Sequence, residues 1–132
     1  MLLKSLTIVQ TLCIYIVEDN ALMATTLKHI LMNMGHEICG MAKSYDDAVK
    51  DLQQITVDLV ITDIMIEGEE NGIDLARYIN THLQIPFIIQ SSVTAPDILS
   101  QAYSTCPKAF LLKPVSRSAI VKALEMVPKL AS

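Results

Sequence analysis

Two kinds of apolar pattern alternate along the chain. Continuous runs rich in β-branched residues recur at Cys13-Ile14-Tyr15-Ile16-Val17, 37–41, 57–63, 86–90 and Ala109-Phe110-Leu111-Leu112. Such runs, lacking a polar residue at every second position, predict strands buried on both faces. Between them apolar residues fall at helical spacing. Leu22, Met23, Thr26, Leu27, Ile30, Leu31 and Met34 predict a first helix, stopped at Gly35. Ser44-Tyr45-Asp46-Asp47 resembles a capping box and opens a second, carrying Ala48, Leu52 and Ile55. Asn71-Gly72 marks a turn into a third, with Ile73, Ala76, Ile79 and Leu83 on one face. A modest helix over 95–103 follows. A last one, capped by Ser116, presents Ala119, Ile120, Ala123, Leu124 and Val127.

Five strands alternating with five helices predict an α/β fold, a parallel sheet with helices on both faces. Right-handed crossovers make it doubly wound. Residues 1–11 fit neither pattern and are read as an N-terminal extension. The chain of 132 residues is long enough for one core and one domain, without linker or repeat.

Composition narrows the function classes. Hydrophobic residues make up 52% of the chain, which excludes disorder. The net charge is −4 and no Lys/Arg cluster provides the footprint that nucleic acid requires. Cys13, Cys39 and Cys106 lack metal-type spacing; Cys13 and Cys39 lie in apolar runs and are read as core residues of a reducing compartment. The first 17 residues are too short for a membrane span, and polar residues interrupt them without a cleavage pattern.

The candidate chemistry sits where strands end. In a doubly wound sheet the C-terminal strand ends open on one edge. Glu18 and Asp19 follow the first run, Asp63 ends the third, Ser91 follows the fourth and Lys113 the fifth. Singly, each has an ordinary explanation as a solvated acid, a turn residue or a loop lysine. Jointly they place three carboxylates, a hydroxyl and an ammonium at one spot. Clustered carboxylates repel, and a hard divalent cation with oxygen ligands, Mg²⁺, relieves that repulsion. The same arrangement suits transfer of a phosphoryl group to Asp63, with Lys113 and Ser91 on its oxygens.

The segments Ile16-Val17-Glu18-Asp19-Asn20, Ile61-Thr62-Asp63-Ile64-Met65, Asn71-Gly72, Ile85 to Ser92 and Ala109 to Pro114 resemble, in order and spacing, a response-regulator receiver domain of two-component signalling. The resemblance covers roughly residues 12–130. It implies a flavodoxin-like, chemotaxis-regulator-like sheet of order 2-1-3-4-5. It implies Asp63 as phosphoacceptor, and Glu18, Asp19, Asp63 and the Met65 carbonyl as Mg²⁺ ligands. Ser91 and Lys113 would bind the phosphoryl group, Ser91 and Phe110 would form the switch, and Lys113-Pro114 would be cis. The implied protein is cytoplasmic and not an enzyme. Its phosphodonor is a histidine kinase or histidine phosphotransfer protein. Its output partner, or a second copy, meets the face made by the fourth helix, fifth strand and fifth helix.

Some residues depart from the family pattern. Glu18 stands where Asp is commoner, Glu67 replaces a Pro four residues after Asp63, and the loop to Gly72 is one residue longer. Met65 and Val93 flank the site without polar groups, which implies slow self-dephosphorylation. Thr105-Cys106-Pro107-Lys108 lacks the acids common in DNA-binding receiver dimers. Met65 also removes the general acid that a phosphohydrolase wants two residues after its nucleophile. Glu18-Asp19 would repel the phosphate of a flavin. The remaining alternative is a receiver-like interaction module independent of phosphorylation.

Overall fold

The computed structural model describes residues 10–128. The extension assigned to 1–11 falls almost wholly outside that span. Five strands, β1 (Cys13–Val17), β2 (Glu37–Ala42), β3 (Leu59–Asp63), β4 (Phe87–Ser91) and β5 (Ala109–Leu112), form one parallel sheet of order β2-β1-β3-β4-β5. The connecting helices are α1 (Ala21–Asn33), α2 (Tyr45–Leu52), α3 (Gly72–Tyr78), α4 (Pro96–Ser104) and α5 (Arg117–Glu125).

Alternation along the strands divides the core in two. Tyr15, Val17, Val60, Phe87 and Ile89 pack with Ala48, Leu52, Ile73, Leu75, Ala76 and Ala102 from α2, α3 and α4. Ile14, Ile16, Leu59, Ile61 and Ile88 pack with Leu27, Leu31, Ile120 and Ala123 from α1 and α5. Every residue of β3 and β4 is buried, which is why each opens on an apolar run, Leu59-Val60-Ile61 and Phe87-Ile88-Ile89, before the polar residues at its C-terminal end.

Several local expectations are corrected. Leu22 (75% exposed) and Met23 do not face the core; α1 buries Ala24, Leu27 and Leu31 instead. Both line an apolar recess against Pro114, Val115 and Ile120, so they lie beside the sheet's C-terminal edge. Helix α2 stops at Leu52, leaving Ile55 partly exposed. The third helix changes to a π-helical turn over Ile79–Leu83, closed by Gln84 at φ 56°. Ser44 accepts a hydrogen bond from the Asp47 amide, 3.2 Å, which is one half of a capping box. The complete box is at Asn71, whose side chain accepts from the Asp74 amide while Asp74 accepts from the Asn71 amide. Cys13 and Cys39 are partly exposed rather than buried.

Candidate functional site

The C-terminal edge of the sheet gathers the residues singled out above. Asp63 closes β3 and Glu18 directly follows β1; both are buried, at 5% and 2% exposure. Asp19 is half-buried beside them. Side-chain oxygens of Glu18, Asp19 and Asp63 all lie within 4.8 Å of one another. Helix α1 begins immediately beyond, with Asn20 capping it through the Met23 amide. The Asn20 amide also donates to Glu18 Oε2, 3.1 Å, and so orients that carboxylate.

Lys113 reaches in from the end of β5. Its Nζ donates to Glu18 Oε1 at 2.5 Å and to Asp63 Oδ2, with the lysine side chain only 10% exposed. Burial alone would lower the lysine's pKa, but the bonds to Asp63 and Glu18 outweigh it and raise it above the ordinary range. The ammonium is thus firmly held in its charged form. The Lys113-Pro114 bond is cis.

Ser91 is fully buried at the end of β4, and its Oγ accepts the Val93 amide at 2.9 Å. Its hydroxyl is tied to its own loop rather than to Asp63. Phe110 lies on β5 and stacks on Tyr103 of α4, centroids 4.9 Å apart at 26°. Tyr103 is 58% exposed, so the pair joins the strand to an open helix face. The pattern of the sequence had not singled out Tyr103, because an exposed aromatic on a polar helix has no periodic signature. Met65, two residues beyond Asp63, exposes 58% of its surface.

The loop after Asp63 is held close to the strand end. Glu67 pairs as an isolated bridge with Ser44, its amide donating to the Lys43 carbonyl at 2.9 Å. The Gly72 amide donates to the Ile64 carbonyl at 2.7 Å, folding the start of α3 over the strand end.

The donor set fits a divalent cation. Three carboxylates converge and, among the described residues, one ammonium faces two of them. That leaves two negative charges uncompensated if all three acids are ionised. Hard carboxylate oxygens are what Mg²⁺ takes.

A family model described as the response regulator receiver domain matches residues 14–125. The chain is similar to the chemotaxis protein CheY of Thermotoga maritima, 32% identical over 117 residues that cover 88% of this chain and 97% of that protein. It is similar to the transcriptional regulatory protein PdtaR of Mycobacterium tuberculosis, 31% identical over 113 residues, 86% of this chain but 55% of that protein. The chain therefore spans about half the length of PdtaR. Among solved structures, the signal receiver domain of a modulated diguanylate cyclase from Desulfovibrio desulfuricans G20 superimposes with a TM-score of 0.84 at 26% identity, covering 89% of this chain and 94% of that one. On these grounds the chain belongs to the response regulator receiver domain family of two-component signal transduction.

Proposed function

We propose that residues 12–130 form a phosphoacceptor receiver domain in which Asp63 takes a phosphoryl group from a phosphohistidine of a histidine kinase or phosphotransfer protein. The observation that carries this reading is the Lys113 ammonium bound to both Asp63 and Glu18, with Asp19 completing a three-acid pocket.

Glu18, Asp19 and Asp63, with the Met65 carbonyl, would hold Mg²⁺. When bound, that cation supplies charge that screens the repulsion between Asp63 and the incoming phosphoryl oxygens. The remaining work belongs to the chain. An Asp63 oxygen attacks phosphorus, the N–P bond to the donor imidazole breaks, and an aspartyl phosphate remains. Lys113 exchanges its contact with the Asp63 carboxylate for one with a phosphoryl oxygen. Its raised pKa keeps it cationic throughout. Ser91 Oγ, which accepts the Val93 amide before transfer, turns to donate to another phosphoryl oxygen.

The Ser91 movement pulls the β4–α4 loop and opens space for Phe110, which leaves its stack on Tyr103. The face made by α4, β5 and α5 then changes for an output partner or a second copy. Shifting the active form from 1% to 99% requires about 5.5 kcal/mol of preference. A few charge-assisted hydrogen bonds are of that size. The domain acts in the cytoplasm as a modified switch rather than as an enzyme on other substrates.

The test is labelling with acetyl phosphate, with and without Mg²⁺, read by intact mass. Wild type should form a base-labile Mg²⁺-dependent adduct and Asp63→Asn none. Equal labelling of both proteins would refute the assignment and favour an interaction module that does not use phosphorylation.

A further inference from the structure

The recess between α1 and the β5–α5 loop holds a polar group that nothing else in the chain uses. Gln90 lies on β4 with Asp63 beside it on one strand and Leu111 on the other. By strand alternation it shares the face of Ile88, which packs toward α1 and α5. The residue is only 4% exposed. Among the described residues, none bonds its side-chain amide, yet no fully sealed side-chain nitrogen or oxygen lacks a partner. The amide atoms must therefore open onto free space, and the space that Gln90 lines is this recess.

The other polar side chains of the recess are engaged. Glu18 accepts from Lys113 at Oε1 and from the Asn20 amide at Oε2. Thr26 Oγ1 donates to the Leu22 carbonyl at 2.9 Å. The remaining lining side chains are apolar, with Leu27, Ile30, Val115 and Ile120 among them. An apolar cleft with one polar group held ready is the usual form of a small-molecule site. A buried amide without a partner also calls for an explanation.

We propose that this recess binds a small neutral carboxamide, its apolar body against α1 and α5 and its amide against Gln90. Gln90 presents a donor and an acceptor side by side. A carboxamide answers both: its N–H donates to Gln90 Oε1 and its carbonyl accepts from Nε2. A carboxylate ion could answer only Nε2, and it would enter beside three acids offset by one ammonium. A cation would carry its charge into an apolar recess whose acid is already paired with Lys113. The cavity is about 220 Å³. A cavity of about 150 Å³ holds one benzene, so by proportion about nine non-hydrogen atoms fit here. The site needs neither a metal ion nor a phosphoryl group, and so stands apart from the function proposed above.

The experiment titrates the isotope-labelled full chain, without Mg²⁺ or phosphodonor, and follows its ¹H–¹⁵N NMR spectrum. The probes are benzamide, benzoate and toluene, which share a ring and differ in the polar group. Benzamide should give saturable shifts at the Gln90 side-chain amide, α1 and the β5–α5 loop, with a dissociation constant on the order of 1 mM, as suits so small a ligand. Benzoate should bind at least tenfold more weakly. Gln90→Leu should weaken benzamide at least tenfold and leave toluene binding unchanged, because the apolar walls remain. Thr26→Trp, placed on an exposed position of α1, should plug the recess and weaken both. Benzamide shifts that do not saturate, or that centre on another face, would mean a recess holding water alone and overturn the proposal. Equal affinity for benzamide and benzoate, or for benzamide in wild type and Gln90→Leu, would overturn it too. If Gln90→Leu loses toluene as well, the preference of wild type for benzamide over benzoate and its loss in Thr26→Trp decide the matter.

Discussion

A Cβ placed on Gly72 would stand 1.8 Å from the carbonyl oxygen of Asp63. The first residue of α3 therefore touches the backbone of the candidate acceptor, and no side chain fits between them. Real Cβ atoms do not approach so closely, and the obstacle is backbone rather than a flexible side chain. Gly72→Ala must push α3 from the end of β3. The expected cost is about 3 kcal/mol, at the upper end of overpacking penalties. Because the displaced atoms belong to Asp63 and Ile64, phosphoryl labelling should fall along with the denaturation midpoint. Retained labelling in a destabilised variant would show that the loop tolerates the shift.

Lys113 provides a second prediction. Its ammonium holds two acids whose side chains are 1% and 8% exposed. Removing one partner of a buried pair leaves charge uncompensated, at about 3 kcal/mol or more. Lys113→Met should therefore lower the denaturation midpoint in a chelator. Mg²⁺ should restore more stability to the variant than it adds to wild type, because a cation at the three acids replaces the missing charge. An equal Mg²⁺ effect on both proteins would separate the lysine from the acid cluster.

The residues differ in how far the sequence announced them. Asp63, Glu18, Ser91 and Lys113 were legible because parallel strands must open on one edge, so strand-end residues converge whatever the loops do. The sheet was legible for a related reason: strands buried on both faces leave unbroken apolar runs. Gly72 read only as a turn, since nothing in Asn71-Gly72 records how near Asp63 would come. Leu22 and Met23 have core-like spacing and yet face an open recess, because periodicity marks a helix face and not what covers it. Gly40 is likewise silent in the local pattern: a Cβ there would lie 2.7 Å from the Tyr15 ring on the neighbouring strand, a long-range demand.

Tyr15 carries the pH prediction. Its ring is fully buried and its hydroxyl donates to Asp51 Oδ2 at 2.6 Å. Burial first, then the bond to Asp51, drive its pKa far above the ordinary tyrosine range. Below about pH 10 both folded and unfolded chains keep this proton and stability is insensitive to it. Above that pH the unfolded chain ionises first, so stability falls as pH rises. Tyr15→Phe should cost about 1.5 kcal/mol at pH 8, where it removes a bond to a carboxylate. Above pH 10 its stability should fall less steeply than wild type, by about 1.4 kcal/mol per pH unit. Urea denaturation of both proteins at pH 8 and at pH 11 measures the difference. Parallel pH curves would show that Tyr15 ionises in the folded state.

Met65 and Val93 govern the last prediction, the lifetime of the phosphoryl group under the proposed function. Met65 is exposed beside the acceptor, and Val93 is partly exposed with its amide held by Ser91. Hydrolysis of an aspartyl phosphate needs a water aligned opposite the Asp63 oxygen. Neither side chain offers a strong hydrogen-bonding group to align it, so the phosphoryl group should be long-lived. Met65→Gln adds a polar group at a position open to solvent. One hydrogen bond made to water in the transition state, at about 1.4 kcal/mol, corresponds to a tenfold faster loss. Met65 lies outside the core, so the substitution should leave the denaturation midpoint unchanged. Decay of labelled protein after removal of acetyl phosphate measures both chains. A wild-type decay already as fast as the Met65→Gln variant would show that another group, and not the Met65 side chain, controls access of water to Asp63.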